Sequence, residues 1–168
     1  MIPKTSVGLL IITHDPDKGL IALLQRRGHF DFEHMKPESW RGIAQVTVHG
    51  DLHKQETFKA GLLREVGEEL GLYAKKMVAR NFSKAHELAR KQTPEHFSIT
   101  FLLTLPPTIL TMIKLHRSSG GLVILRKKDL KKIKPAQLEH KNAGIFGANE
   151  FVMFPDEKIA LERAFALN

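Results

Sequence analysis

Four glutamates and one arginine occur at fixed offsets between residues 50 and 72 of this 168-residue chain: Glu56, Arg64, Glu65, Glu68 and Glu69. Glu65, Glu68 and Glu69 stand at positions i, i+3 and i+4, so a helix would project all three from one face. Each like-charge pair at this spacing costs about 0.2–0.5 kcal/mol in an isolated helix. A bound cation would offset this repulsion, and Mg²⁺ prefers such carboxylate oxygens together with substrate phosphates.

The pattern around these acids predicts a helix over residues 57–70. Its apolar residues recur with helical spacing: Phe58, Leu62, Leu63, Val66 and Leu70. Gly71 follows as a residue suited to end the helix. The acidic face lies about a quarter turn from the apolar stripe. The helix can therefore pack on a sheet and still present its acids to a cleft.

The rest of the chain reads as a mixed α/β domain with antiparallel hairpins and no linker that would divide it. Strands are predicted over residues 5–13, 20–25, 43–48, 76–82, 97–105 and 122–125. A loop is predicted over residues 28–39, a short helix over 129–133 and a final helix over 156–167. Residues 84–96 fit either a helix or a loop.

Composition narrows the class of protein. Apolar residues make up 42% and charged residues 26% of the chain, which is typical of one globular domain. The absence of cysteine excludes disulfides, thiolate metal sites and a cysteine nucleophile. No apolar run reaches the ~20 residues that span a bilayer, so a soluble cytoplasmic protein is expected. The net charge of +8 favours anionic partners, such as nucleotides, diphosphates or nucleic acid.

The acidic segment resembles the complete Nudix box. Gly50 is followed after five residues by Glu56 and after seven more by the run REVGEELGL at residues 64–72. The run LQRR at residues 24–27 and Trp40 upstream of the box support the resemblance more weakly. It implies a single Nudix domain over residues 1–168, with a mixed β-sheet sandwiched between α-helices. It also implies hydrolysis of a nucleoside diphosphate linked to another moiety, with Mg²⁺ or Mn²⁺.

The resemblance also implies roles for individual residues. Glu65 and Glu69 look like direct metal ligands, and Glu68 looks like a further ligand or the base that orients water. Gly50 looks like a turn residue whose backbone approaches the metal. In the family the general base sometimes comes from a later loop, for which the candidates are Glu95, Glu139 and Glu150.

Other box residues would support the site. By the same resemblance, Arg64 holds Glu56 or Glu65 in place, and arginine suits this role because its planar fork makes two-point contacts with a carboxylate. Glu56 and Gly71 are structural members of the box. Candidates for binding a phosphate or shaping the substrate loop are Arg26, Arg27, Arg41 and His49. The competing interpretation is that these residues are solvated surface charges.

Several alternatives stay open at this point. The acidic face could be merely solvated, residues 126–134 could bind nucleic acid although a solvated surface is favoured, and Trp40 could stack on a base or pack in the core.

The chain also resembles the Nudix branch of isopentenyl-diphosphate isomerases, but it lacks their cysteine, which leaves hydrolysis of an organic diphosphate. A non-catalytic nucleotide- or RNA-binding module is a third hypothesis. Many family members have glycine where this chain has His49 and Gln55, so the substrate subclass is undecided, as is a homodimer.

Overall fold

The computed structural model describes residues 3–32, 34–143 and 151–168. The strands in chain order are β1 (Lys4–Asp15), β2 (Gly19–Arg27), β3 (Phe30–Asp31), β4 (Lys36–Pro37), β5 (Ala44–Gln45), β6 (Val48–Asp51), β7 (His86–Gln92), β8 (His96–Thr104), β9 (Ser119–Arg126), β10 (Ile133–Pro135) and β11 (Phe151–Met153). The α-helices are α1 (Phe58–Leu70), α2 (Leu72–Asn81), α3 (Ile109–Met112), α4 (His140–Ala143) and α5 (Pro155–Leu167).

The main sheet mixes parallel and antiparallel strands around a central β1–β2 hairpin. Its strands follow the order β10-β11-β5-β2-β1-β8-β7, with β6 also paired to β1 and β9 to β2. β1 runs parallel to β8 and antiparallel to β2 and β6. Because β6 pairs with β1 and leads into α1, the sheet fixes where the acidic helix begins.

The two faces of the sheet pack against different helices. Leu9 and Ile11 of β1 point toward a core that includes Leu62 and Val66 of α1. Leu10 and the other alternate residues of β1 point toward a second core, built with α5. Both cores are almost fully buried. The prediction of a mixed sheet sandwiched between α-helices is therefore confirmed.

Helix α1 lies where the sequence predicts it. The Thr57 side-chain oxygen accepts a hydrogen bond from the Ala60 backbone N–H over 3.2 Å and caps the first turn. Gly71 ends the helix with φ of 87°, a conformation that favours glycine. The buried face consists of Gly61, Leu62, Val66 and Leu70. The glutamates are thus left at the edge of the packed face.

The strand predicted over residues 43–48 is divided into β5 and β6. At the break, Thr47 turns its hydroxyl between the two central strands: it donates to the Leu23 carbonyl and accepts from the Ile11 N–H over 2.8 Å. The chain thereby changes partner from β2 to β1. A two-residue period cannot reveal this change of partner, because both halves remain buried.

Four other segments differ from what the sequence predicts. Residues 76–82, predicted as a strand, lie mostly in helix α2, where Ala74 and Val78 are buried one helical turn apart. The undecided segment 84–96 contains strand β7, an edge strand that pairs with β8 and has a bulge between Glu87 and Ala89. The loop over residues 28–39 contains the small β3–β4 hairpin, and the helix predicted near residue 129 is a 3-10 helix, Lys127–Lys132.

The remaining predicted elements are confirmed. Strands β1, β2, β8 and β9 and helix α5 cover the segments expected for them. Within the described residues, no helix is long and apolar enough to cross a membrane. In the basic stretch, Asp129 forms ion pairs with Arg126 at 3.1 Å and Lys132 at 2.9 Å. Part of that positive charge is therefore neutralised locally.

Candidate active site

Arg64 organises the acidic helix. Its guanidinium makes a two-point contact with Glu56, from Nε to Oε1 at 3.1 Å and from Nη2 to Oε2 at 3.0 Å. Nη1 donates to Glu65 at 2.7 Å and to Glu68 at 3.1 Å, and Nη2 donates to the Asp51 carbonyl at 2.8 Å. These hydrogen bonds, above all those with Glu56, raise the pKa of Arg64 and lower that of Glu56. Of the two partners predicted for Arg64, the structure thus provides both.

Gly50 lies directly against the carboxylate of Glu65. A Cβ atom at Gly50 would stand 2.0 Å from Cδ of Glu65 and within 2.4 Å of both its oxygens. The side chain of Glu65 is 12% exposed, and burial raises its pKa despite the contact with Arg64. Gly50 thus lies in strand β6 and not in the predicted turn, and its backbone is next to Glu65. The approach of this backbone to a metal ion stays a prediction.

Glu69 is the most enclosed of the helix carboxylates. Burial raises its pKa to about 8, and the negative charge of Glu65 adds to this effect. The His49 backbone N–H bonds to it. Gln25 donates from its amide nitrogen to Glu69 Oε2 and to the Thr47 carbonyl, both over 2.9 Å, when its amide is oriented to match its neighbours. Within the described residues no ion pair reaches Glu69.

The acids line a cavity of about 750 Å³ on the outer side of α1. Glu65, Glu68 and Glu69 are brought together there, and Glu68 is the exposed member, at 57%. As their side chains are positioned, residues 3–32, 34–143 and 151–168 contain no group of three acidic or histidine residues that could hold a metal ion. One reason is geometric, because Arg64 draws Glu65 and Glu68 toward itself.

A divalent ion nevertheless fits the chemistry of these donors. Glu65 and Glu69 are withdrawn from water with raised pKa values, a state that a positive ion beside them would relieve. Their oxygens are the ligands that Mg²⁺ and Mn²⁺ prefer. The exposed Glu68 lines the same cavity and is a further candidate ligand.

A second cavity, of about 470 Å³, lies between the β7–β8 edge of the sheet and α5. A smaller one, of about 190 Å³, lies between it and the carboxylates: Glu69 lines this connecting cavity, which shares Arg27, Gln45 and His49 with the second cavity. Burial lowers the pKa of His49, so its imidazole is neutral at pH 7. A ligand at the acidic helix could therefore extend past His49 into the second cavity.

The residues predicted to bind phosphate do not all line the same cavity. Arg27 lines both smaller cavities but is paired with Glu38 at 2.6 Å. Arg26 lines the connecting cavity, donates to the Gly42 carbonyl at 3.0 Å and lies over the ring of Phe151. Arg41 lines none of these three cavities. Only Arg27 and His49 are thus well placed toward a substrate.

Of the later general-base candidates, Glu95 and Glu139 do not line the cavity of the acidic helix. Glu95 lies in the turn between β7 and β8, where its carbonyl accepts from the Lys4 N–H. Glu139 is exposed beside His140, and Glu150 lies outside the described residues. Trp40 packs edge-to-face on Phe154 with the ring centroids 5.2 Å apart, which favours the packing interpretation. Glu68 is left as the base candidate that lines the main cavity.

Sequence reasoning missed several residues that line these cavities: Gln25, Phe32, Glu38, Arg117 and Glu157. Gln25 belongs to the LQRR run, so its position on a central strand next to the box gave a usable signal. The others lie on loops or at the start of α5, far from the box in sequence. No spacing rule connects them to it.

Glu157 lines the second cavity and accepts a hydrogen bond from the Val46 N–H over 3.2 Å. Burial raises its pKa to about 8, and Asp156 adds to the shift. A raised pKa in the folded state means that the folded chain keeps its proton while the unfolded chain loses it. Stability from this group is therefore fully present below the unfolded pKa of 4.5 and is lost as the pH rises through about 8.

We expect Glu157→Gln to be relatively more stable than the parent at high pH. The free energy of unfolding is measured in urea without metal ions. From pH 5 to pH 8.5, the advantage of the variant over the parent should grow by about 1–2 kcal/mol. This is less than the full pKa shift of Glu157 implies, because the side chain is partly exposed. The other ionisable groups that line the same cavity are the same in variant and parent: Arg27, His49, Arg90, Lys91, His96, Asp156 and Arg163. A difference that stays constant with pH would contradict the shift.

The fold and the site together indicate the class of protein. The fold is a mixed sheet between two helical layers, and one helix presents to a cleft a set of glutamates that an arginine holds in place. A model of the NUDIX domain matches residues 3–141, and the chain belongs to this family. No curated protein matches the chain.

Solved structures show the same fold at low identity. A MutT/nudix family protein from Enterococcus faecalis matches with a TM-score of 0.62 and 14% identity, over 99% of this chain and 62% of the other, so this chain spans less than two thirds of its length. The NUDIX domain of Shewanella oneidensis NrtR, in complex with ADP ribose, matches with a TM-score of 0.59 and 10% identity, over 100% and 90%. A mutT/nudix family protein from Listeria innocua gives 0.56 and 18%, over 78% and 84%.

Proposed function

We propose that this chain hydrolyses the diphosphate bond of a nucleoside diphosphate linked to another moiety. In this proposal Glu65 and Glu69, with Glu68, hold Mg²⁺ or Mn²⁺. Such an ion, when bound, neutralises charge on the diphosphate and lowers the pKa of water. The complete Nudix box and the membership of the family support the reaction type.

One observation carries the proposal: Glu69 is a half-buried carboxylate with a pKa that burial raises, and it lines a large cleft with no ion pair among the described residues. Burying a carboxylate without a cation is unfavourable, and such a group is common where a charged ligand completes the site. The negative charge of the neighbouring Glu65 raises the pKa of Glu69 further, so ionising both carboxylates without a cation is unfavourable. A purely solvated acidic face would not need to bury either group.

The chain's own residues would position and deprotonate the attacking water. Arg64 fixes Glu65 against Gly50, and Gln25 fixes Glu69, so the carboxylates keep a set separation. Glu68 is the exposed carboxylate that can accept the proton of the water. The water oxygen forms a new bond to one phosphorus, and the bond from that phosphorus to the bridging oxygen breaks. Two phosphate-bearing products then leave.

We place the organic part of the substrate in the second cavity. It is reached from Glu69 past His49, and its far end carries the acid of Glu157. Ser98 and Thr100 add hydroxyl groups to its wall. This mixture of acids, hydroxyls and imidazoles suits a polar heterocycle or sugar better than an alkyl chain, so a nucleoside is favoured over an isoprenoid.

A substrate panel tests the proposal. The purified chain is incubated with ADP ribose, dinucleoside polyphosphates, nucleotide sugars, oxidised nucleoside triphosphates and isopentenyl diphosphate, each with Mg²⁺, with Mn²⁺ and with EDTA. We expect metal-dependent release of phosphate, after phosphatase coupling, from at least one nucleotide and none with EDTA. ADP ribose is included because the Shewanella Nudix domain was crystallised with it. Absence of turnover across the panel, together with absence of metal binding by calorimetry, would refute the proposal.

A further inference from the structure

The segment between α3 and β9, residues 113–118, is fixed to the end of the glutamate helix. The Lys114 backbone N–H donates to the Leu70 carbonyl at 2.8 Å, and the His116 N–H donates to the Glu69 carbonyl at 3.0 Å. Carbonyls in the last turn of a helix have no partner within the helix. These bonds therefore satisfy both the carbonyls of α1 and the N–H groups of the segment. The segment is thus held at a set distance from Glu69.

Arg117 follows this anchor and lines the same cavity as the three helix glutamates. Its guanidinium carbon lies 4.9 Å from the ring centroid of Phe32, which follows β3 and lines the same cavity. In contrast to Arg64, Arg117 has no carboxylate within 4.0 Å among the described residues. Its cation is held on an aromatic face instead of being neutralised.

We propose that Arg117 binds oxygens of the diphosphate in the cavity that the glutamates also line, and that Phe32 holds its guanidinium in position. A stacked guanidinium uses its face for the ring and keeps its N–H edge available, and that edge matches two phosphate oxygens. The chain contains other arginines near the substrate path, but Arg27 is already paired with Glu38. Arg117 is therefore the uncompensated arginine of the main cavity.

This role follows from where the negative charge of a diphosphate would lie. The helix side of the cavity is acidic and can receive a phosphate only through a metal ion. Oxygens that do not bind the ion need a direct cation, and Arg117 supplies one within the same cavity. The assignment rests on the proposed function, and it adds a binding residue that lies outside the box.

The experiment compares Arg117→Ala, Arg117→Lys and Phe32→Leu with Arg80→Ala, an exposed arginine of α2 away from the cavity. The probe is methylenediphosphonate, a non-hydrolysable diphosphate, titrated calorimetrically in excess Mg²⁺. We expect Arg117→Ala to weaken binding roughly 10- to 100-fold, in line with the loss of charge-assisted hydrogen bonds. Arg117→Lys should retain part of the affinity, Phe32→Leu should lose a smaller part, and Arg80→Ala should match the parent.

With the best substrate of the panel, Arg117→Ala should raise KM more than it lowers kcat. Binding of the probe by Arg117→Ala within twofold of the parent would overturn the assignment, as would failure of the parent to bind the probe. If the parent hydrolyses the substrate while Arg117→Ala keeps normal probe binding and normal KM, only the role of Arg117 is wrong. If the parent shows neither turnover nor metal binding, the proposed function itself is wrong.

Discussion

Replacing Glu69 with glutamine is expected to lower metal-dependent hydrolysis roughly 1,000-fold while leaving the fold intact. The amide keeps the size of the side chain but removes the charge that a divalent ion would need. Metal ions contribute several kcal/mol to such reactions, and each 1.36 kcal/mol is about tenfold in rate, so a loss of about this size is expected. Steady-state kinetics on the best panel substrate, in Mg²⁺, measures the effect.

Thermal unfolding separates this result from misfolding. Because Glu69 is buried beside Glu65 with a raised pKa, the neutral amide removes a repulsion, and the metal-free Tm should stay level or rise. The increase in Tm that Mg²⁺ gives the parent should be much smaller in the variant, since stabilisation by a ligand depends on its affinity for the folded state.

The matched control is Glu162→Gln, which removes a charge from an exposed glutamate of α5 that forms an ion pair with Lys158 at 3.9 Å. It should behave as the parent in rate and in its response to Mg²⁺. A Glu69→Gln variant with a rate within fivefold of the parent would contradict the assignment of Glu69 as a metal ligand.

The sequence was sufficient to predict the acidic helix and most of the sheet, because both carry periodic signals. Leu62, Val66 and Leu70 recur with helical spacing and are buried in the structure. The failures occur where a local signal is weak. Helix α2 buries only Ala74 and Val78, and its other face is polar, so its helical period was not recognised. Strand β7 buries only Leu88, since it lies at the sheet edge.

The site was predictable in part for a related reason. Arg64 and its glutamates lie within one short segment, so the spacing along one helix determines their arrangement. Arg117 and Phe32 reach the same cavity from separate loops, and Glu157 reaches the neighbouring cavity from the C-terminal helix. Their proximity depends on how β9 and α5 pack on the sheet, which no pattern within a single segment encodes.

Substituting Gly50 with alanine is expected to reduce kcat roughly 100-fold through Glu65 alone. The strand β6 holds Gly50 opposite Val7, and a Cβ atom there would overlap the Glu65 carboxylate at 2.0–2.4 Å. Gly50 does not have the positive φ that would strain alanine, so the backbone can keep its conformation and the side chain of Glu65 must move. Misplacing a catalytic group by about 1 Å costs on the order of 100-fold in rate. Kinetics and calorimetric Mg²⁺ titration should show the loss together.

Gly67→Ala provides the contrast, because it adds the same methyl group to the same region. Its Cβ would meet only the flexible side chain of Lys75, at 2.9 Å from Cδ, and it should leave the rate unchanged while stabilising the helix by about 0.5–1 kcal/mol. A shorter acid offers a rescue: Glu65→Asp combined with Gly50→Ala should recover part of the Mg²⁺ affinity that the single Gly50→Ala substitution loses, since aspartate leaves room for the methyl group. If Gly50→Ala instead binds Mg²⁺ and turns over substrate as the parent does, the position of the Glu65 carboxylate against this glycine has no part in the reaction.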